Sequence, residues 1–239
     1  MKSVGEVMAI GKTFIEAFQK AIRMVTEKSE GLSLSLLSDL TDQQIKEGLK
    51  NATDQRIFIL FEAFRRGFKV DELFQLTKIT PWFLHQIDEI LKTENLIRKN
   101  NFNLTQLTRS ELLLWKKNGF SDAQIVSVLK STRPDLKVTE KDFYHRRHTL
   151  DIHPWIKKID TVAAEFPTAS NYLYLTYHGI SHDVTSSLLE NRERFLILGS
   201  GPYRIGSSVE FDWCGVSASE ALRESKKGSL VLNCNPETV

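Results

Sequence analysis

Near its end the chain carries two short apolar runs, FLILGSG at 195–201 and SLVLNCNP at 229–236, separated by one helix-length segment. Strand, Gly-ended turn, helix and second strand make a β–α–β crossover, so the two strands are expected to run parallel. This feature constrains the fold more than any other, because parallel strands are normally covered on both faces. One helix covers one face. Something outside the unit must supply the rest, and the chain reads as a piece of a larger protein.

The sequence ahead of it predicts helices. In KTFIEAFQKAIRMV, Phe14, Phe18, Ala21, Ile22 and Val25 recur at three- and four-residue steps on one helix face. Thr13 and Glu16 are spaced as a capping box. A polar stretch rich in Ser, Leu and Asp follows and reads as a connector to about residue 51. From 53 to about 151 the pattern is helical nearly throughout. Thr53 is placed to cap a helix carrying Ile57, Leu60, Phe61 and Phe64, with Gly67 as its stop. DELFQLT makes a short helix, and Thr80-Pro81 then gives a cap with proline in the first turn. Trp82, Phe83, Ile87, Ile90 and Leu91 are expected on the buried side of that helix. ELLLWKKN ending at Gly119, SDAQIVSVLK and TEKDFYHRRH complete the set.

Gly67-Phe68 before Asp71 and Gly119-Phe120 before Asp122 give a faint internal echo. It reads as duplicated helical hairpins or, preferably, as the Gly stops and Asp starts that any helical bundle uses. After Asp160 the texture changes: NYLYLTY at 171–177 has strand composition. A helix is predicted over 208–227, with Gly228 ending it. The fold class is therefore mainly α, followed by a truncated α/β unit.

Composition narrows the function classes. Lys plus Arg is 32 against 30 Asp plus Glu, a formal charge of +2, without the clustered basic excess expected for nucleic acid or an anionic membrane. No apolar run approaches the roughly 18–20 residues of a membrane span. The opening MKSVGEV has no secretory apolar core. Cys214 and Cys234 make neither a disulfide framework nor a four-ligand zinc site, and are expected as small buried hydrophobes.

Each chemical motif is incomplete. Gly199-x-Gly201 after a strand resembles the start of a dinucleotide fingerprint, but Arg204 replaces the third glycine and Asn233 to Pro236 stand where an acidic residue would follow strand two. A tight βα turn without a nicotinamide cofactor is the preferred reading, with the helix start and Arg204 retaining anion-binding potential. His145, His148, His153, His178 and His182 lack the companions of a recognisable metal site. The HRRH run at 145–148 reads as a solvated helix face; together with the two Gly-Phe and Asp repeats it supports a helix-turn-helix nucleic-acid alternative. Neither a nucleophile elbow nor a Walker loop is present. Glu6, Glu210 and Glu237 stand among small or apolar residues, where a buried unpaired carboxylate is costly. On composition alone they are surface or cap residues.

Together, SVGEVMAIGKTFIEAFQKAIR, ATDQRIF, WFLHQIDEI, NGFSDAQI, KKIDTVAAEFPTASNYLYLTY, LILGSGPYRIGSSVEFDWC and VLNCNPETV resemble the large subunit or domain of carbamoyl-phosphate synthetase. NYLYLTYHG and GPYRIGSSVEFDWC point to its eukaryotic-type form. The resemblance covers most of the chain in order. It implies an enzyme with two related ATP-grasp halves joined by a helical oligomerisation domain. One half phosphorylates bicarbonate and ammonia then gives carbamate; the other phosphorylates carbamate, which reaches it through an internal tunnel. On that plan, 1–31 resembles the end of the first half, 32–160 the oligomerisation domain, and 161–239 the lead-in and incomplete pre-ATP-grasp β–α–β of the second half.

The same resemblance implies that Glu6, Glu210 and Glu237 line the carbamate passage, that Arg204 lies near it, and that Gly206 and Ser207 form its wall. It transfers no catalytic, cofactor-binding or metal-binding residue to this chain. ATP, Mg and K belong to the parent enzyme. The implied partners are other copies of the helical domain, the remaining synthetase domains and a glutaminase, with no nucleic acid or membrane. The implied compartment is cytoplasmic, or mitochondrial for some parents, and the chain alone is expected to be inactive.

Overall fold

The computed structural model describes residues 7–25, 37–100, 103–160, 165–167, 172–184, 193–199 and 209–233, with only the backbone at 25 and 209–211. These residues hold nine α-helices and four β-strands in two compact units.

The helical unit spans Thr13–His153. Its helices are α1 (Phe14–Val25), α2 (Asp42–Lys50), α3 (Arg56–Arg65), α4 (Val70–Thr77), α5 (Pro81–Lys99), α6 (Arg109–Lys117), α7 (Asp122–Thr132) and α8 (Glu140–Thr149). Local chemistry sets most of the boundaries. Thr41, Thr108, Ser121 and Thr139 each form a reciprocal capping box with the residue three positions on, satisfying two orphan N–H groups at each helix start. At α1 the Glu16 N–H donates to Thr13 Oγ1 at 3.2 Å. Pro81 opens α5, whose last turn carries Arg98 and Lys99 where the helix dipole favours cations.

Helix ends reuse one motif. Gly67 at φ +90° and Gly119 at φ +83° each follow a helix, and the next residue's N–H reaches back to the Ala63 or Trp115 carbonyl at 3.1 Å. This is the Schellman arrangement, which calls for a left-handed residue. Asp151 and Lys226 end their helices the same way at φ +51° and +58°. The Gly-Phe echo is thus an instance of a general helix stop.

The core is aliphatic and aromatic: Ile45, Leu49, Leu60, Phe61, Leu73, Leu84, Ile90, Ile97, Leu112, Trp115, Ile125 and Phe143 are all buried. Several expectations need correction. The polar connector contains α2, a real helix whose Ile45 and Leu49 face the core. Gln55, not Thr53, stands at the start of α3, without a side-chain cap. Thr80 occupies the cap position of α5 without a side-chain bond. Trp82 and Phe83 are not buried: they are 53% and 41% exposed and pack against one another and against Phe14, ring centroids 5.0–5.4 Å apart. Ile87, Ile90 and Leu91 are buried on α5 as expected, and Leu84 and Ile97 complete its apolar stripe.

The second unit takes in Pro154–Val239. β1 (Trp155–Lys158) pairs antiparallel with β2 (Leu173–Thr176), Trp155 opposite Thr176. β1 had no expectation attached to it. β3 (Arg194–Leu198) pairs parallel with β4 (Gly228–Leu232), Arg194 opposite Gly228 and Leu198 opposite Leu232, joined by α9 (Val209–Glu224). This is the parallel crossover expected from the apolar runs. Lys226 rather than Gly228 stops α9, and Gly228 begins β4. Cys214 on α9 is exposed rather than buried. α9 packs on both strands, yet Leu196, Leu198, Leu230 and Leu232 remain 59–74% exposed. Strands of a parallel sheet are ordinarily covered on both faces; here large apolar side chains of both strands are bare.

Candidate functional site

Of the residues singled out for the passage, Glu6, Arg204, Gly206, Ser207 and Glu237 lie outside the described residues, as does Cys234. Glu210 lies in the first turn of α9, where the backbone alone is described. The structure does describe the frame on which these segments are rooted. At the carboxyl end of β3, the Gly199 N–H donates to the Leu232 carbonyl at 2.8 Å and extends the ladder by one step. At the carboxyl end of β4, Asn233 Nδ2 donates to Asp212 Oδ1 on α9 at 2.9 Å. Asp212 is 1% exposed. A Cβ on Gly199 would stand 3.0, 3.1 and 3.2 Å from Asn233 Cγ, Cβ and Oδ1. Asn233, noted in the sequence only for standing where an acid was expected, is the partner of a buried acid.

The helical unit holds a buried polar network that links α1, α6, α7 and α8. Asp122 opens α7 and is 7% exposed. It accepts from Lys116 Nζ at 2.8 Å and from Arg147 Nε at 2.9 Å. Burial pushes the Lys116 ammonium down to about 8, Asp122 opposing that shift and the nearby Arg147 and Arg23 adding to it. Arg23 on α1 donates to the Gly119 carbonyl at 2.7 Å and to Gln124 Oε1 at 2.9 Å. Gln19 Nε2 donates to the Asn118 carbonyl at 2.6 Å, and Gln124 Nε2 donates to Gln19 Oε1 at 2.9 Å. Gly119 lacks a Cβ where one would lie 2.9 Å from Gln19 Cβ. So α1 docks on the start of α7 and the turn before it through directional polar bonds.

This network corrects half of the reading of the HRRH run as a solvated face: His145 and His148 are exposed, but the two arginines are turned to protein partners. Arg147 is 9% exposed and committed to Asp122. Arg146 donates to the Thr105 and Leu107 carbonyls at 2.8 and 2.6 Å. Neither guanidinium is presented as a phosphate contact requires. The histidines pack by ring contact, His148 against Tyr144 and His153 at 4.3 and 4.7 Å. Among the described residues no group of three His, Cys, Asp or Glu side chains is arranged to hold a metal, and no helix is long and apolar enough to cross a membrane. A second buried acid, Glu94, receives Arg65 and Arg98 at 2.8 and 2.7 Å. Burial opposes its ionisation, but the two guanidiniums overcome this and hold its carboxyl below the usual carboxylate range.

These features define a helical scaffold with a polar seam, followed by the opening of a parallel α/β domain. Residues 6–150 match the family model described as the carbamoyl-phosphate synthetase large chain oligomerisation domain, and residues 191–239 match that of the carbamoyl phosphate synthase preATP-grasp domain. The chain belongs to the carbamoyl-phosphate synthetase large-chain family. It is 43% identical over its whole length to an arginine-specific mitochondrial large chain of Schizosaccharomyces pombe, covering 19% of that protein. It is 44% identical to the multifunctional protein CAD of Squalus acanthias, covering 10%, and 41% identical to the mitochondrial ammonia-type synthase of Mus musculus, covering 15%. The chain thus spans at most about a fifth of the length of these relatives.

Proposed function

We propose that this chain is the central segment of a carbamoyl-phosphate synthetase, acting as a self-association scaffold and as wall for the carbamate passage. The observation that carries this reading is the match of both family models, in order, along one chain that spans at most about a fifth of the three relatives named above. The bare apolar strands β3 and β4 support it, since further domains of the parent would cover them. Glu6, Glu210 and Glu237 line the passage, Arg204 lies near it, and Gly206 and Ser207 form its wall. Residues 1–31, 32–160 and 161–239 serve as the end of the first half, the oligomerisation domain and the start of the second half.

Carboxylates in a narrow passage can hydrogen-bond water or carbamate while backbone turns set its width. ATP, Mg, K and the glutaminase contacts are assigned to other domains of the parent. The parent serves pyrimidine or arginine biosynthesis, in the cytoplasm or in mitochondria; two relatives are named as mitochondrial, one of them as arginine-specific.

The test is direct. Purified chain is assayed for bicarbonate-dependent ATP hydrolysis and for self-association by sedimentation. No turnover together with concentration-dependent association is expected. Robust bicarbonate-dependent turnover, or a strictly monomeric species at high concentration, would overturn the proposal.

A further inference from the structure

The first turns of α1 and α5 meet in a cluster of aromatic rings that neither the polar seam nor the passage assignment explains. Phe14 opens α1 and packs on Phe18, Trp82 and Phe83, with ring centroids 5.3, 5.3 and 5.4 Å apart. Trp82 and Phe83 meet at 5.0 Å with their planes 85° apart. Phe18 in turn faces Phe61 at 6.2 Å, and Phe61 is fully buried. The rings thus run without a break from the core to the surface, where Trp82 and Phe83 are 53% and 41% exposed.

This face is pre-formed. Further along α1, Gln19 and Arg23 tie the helix to Asn118, Gly119 and Gln124 by bonds of 2.6–2.9 Å. Phe14 is therefore presented on an anchored helix, and a partner that covers it has little ordering cost to overcome. Aromatic residues are enriched, and charged ones depleted, at the centres of protein interfaces.

Area decides between two occupants. A fully covered aromatic side chain buries about 150–250 Å². At the exposures above, and with Phe14 half-buried, the three outer rings have roughly 250 Å² left to cover. A second copy of the chain, arriving from free solution, needs about 800 Å² on each partner. A tethered domain needs far less, because a short connection holds it at a millimolar effective concentration. On the reading above, residues 1–31 serve as the end of the first synthetase half, so the body of that half reaches α1 through residues 1–13. At about 3.6 Å per residue, that connection spans no more than about 47 Å, and it ends at Phe14 itself.

We infer that Phe14, Trp82 and Phe83 form the docking face for the body of the first synthetase half, which covers these rings in the parent. This rests on the reading of the chain as the central segment. Self-association of the helical unit uses another face.

Hydroxyl-radical footprinting read by mass spectrometry gives the oxidation rate of each ring. It is applied to this chain and to the full-length synthetase of which it is proposed to be a part. Trp115, 2% exposed, is the internal standard for a covered ring. In this chain Trp82 is expected to oxidise much faster than Trp115, at a rate independent of protein concentration even where sedimentation shows association. In the full-length protein the Trp82 and Phe83 rates are expected to fall at least about fivefold, as for rings sealed from water at an interface centre. Trp82→Lys places a charge in that contact and is expected to return Phe83 of the full-length protein to its rate in this chain. The urea midpoint of this chain with Trp82→Lys should stay close to wild type, because the ring removed is half exposed.

Carbamoyl phosphate synthesis by the full-length protein is measured alongside. If it is made and the Trp82 rates of the two proteins are equal, the docking face is refuted and the central-segment reading stands. If Trp82 becomes protected in this chain in step with its association, the occupant is a second copy and the inference is refuted. If Trp82→Lys leaves Phe83 protected, docking on this face is not what covers it, and the inference fails again. If no carbamoyl phosphate is made, the central-segment reading falls and the docking face with it.

Discussion

Replacing Lys116 by methionine separates the cost of a buried charge from the benefit of its ion pair. Lys116 is 6% exposed, bonded to Asp122 at 2.8 Å, and neighboured by Arg147 and Arg23. Burial lowers its ammonium from 10.5 to about 8 even with Asp122 in contact. Over that interval the unfolded chain holds the proton more tightly than the folded one, so unfolding free energy rises with pH. The protonated side chain therefore subtracts from stability below about pH 8, and the penalty is relieved as pH climbs toward 10.5. The interval between 10.5 and about 8, at about 1.4 kcal/mol per unit, amounts to roughly 3 kcal/mol.

Lys116→Met is close in volume, and Asp122 keeps Arg147 Nε at 2.9 and 3.2 Å. Its stability at pH 7 is expected within about 1 kcal/mol of wild type, since replacing a buried ion by an apolar group of similar size is often close to neutral. Asp122→Ala, in contrast, strands two buried cations and should cost about 3–5 kcal/mol. The assay is urea unfolding followed by far-ultraviolet circular dichroism at pH 7, 8, 9 and 10. The stability of wild type should rise with pH relative to Lys116→Met. A difference between the two proteins that stays flat from pH 7 to 10 refutes the reasoning, because other titrating groups act on both alike.

Two further outcomes follow from local geometry and charge. Gly67 and Gly119 have the same left-handed backbone, but nothing lies within 4 Å of a Cβ at Gly67, whereas one at Gly119 meets Gln19 Cβ at 2.9 Å. Gly67→Ala should cost only the backbone strain of about 1–2 kcal/mol, and Gly119→Ala measurably more in the same urea titration, because α1 must shift. Glu94, held below its ordinary range by Arg65 and Arg98, contributes stability that is complete above the unfolded value of 4.5 and lost as pH falls through its lower folded value. Glu94→Gln should remove that loss, giving an acid unfolding limb shallower than that of wild type between pH 5 and about 2.

Much of the helical unit was legible because helix ends are local events. Ser121 with Gln124, Thr139 with Asp142, Pro81 in a first turn and glycine at 67 and 119 act within four residues of themselves. The parallel β3–β4 crossover was legible for a related reason: an apolar run, a helix-length spacer and another apolar run leave the chain few other arrangements. α2 carried its signals openly, Thr41 with Gln44 and Ile45 four before Leu49, but within a polar stretch short enough to pass for a connector. At the candidate site, Asn233 departs visibly from a dinucleotide pattern, yet its partner Asp212 lies 21 residues back with no local motif to mark it.

Spacing along the chain was enough to place most of the helices, to make β3 and β4 parallel and, through the motifs, to give the family. Tertiary structure alone decided which polar and aromatic groups are inside. Trp82 and Phe83 share the periodicity of core residues, but the packing around α5 leaves them largely open to solvent. Arg147 sits in a run that looks solvated, but Asp122, 25 residues earlier, draws it inward. β1 exists because residues 173–176 come back to pair with it. Caps and turns are satisfied within a few residues, so sequence spacing reveals them. Burial of a charge or a ring depends on partners brought near by the fold, and spacing along the chain carries no record of them.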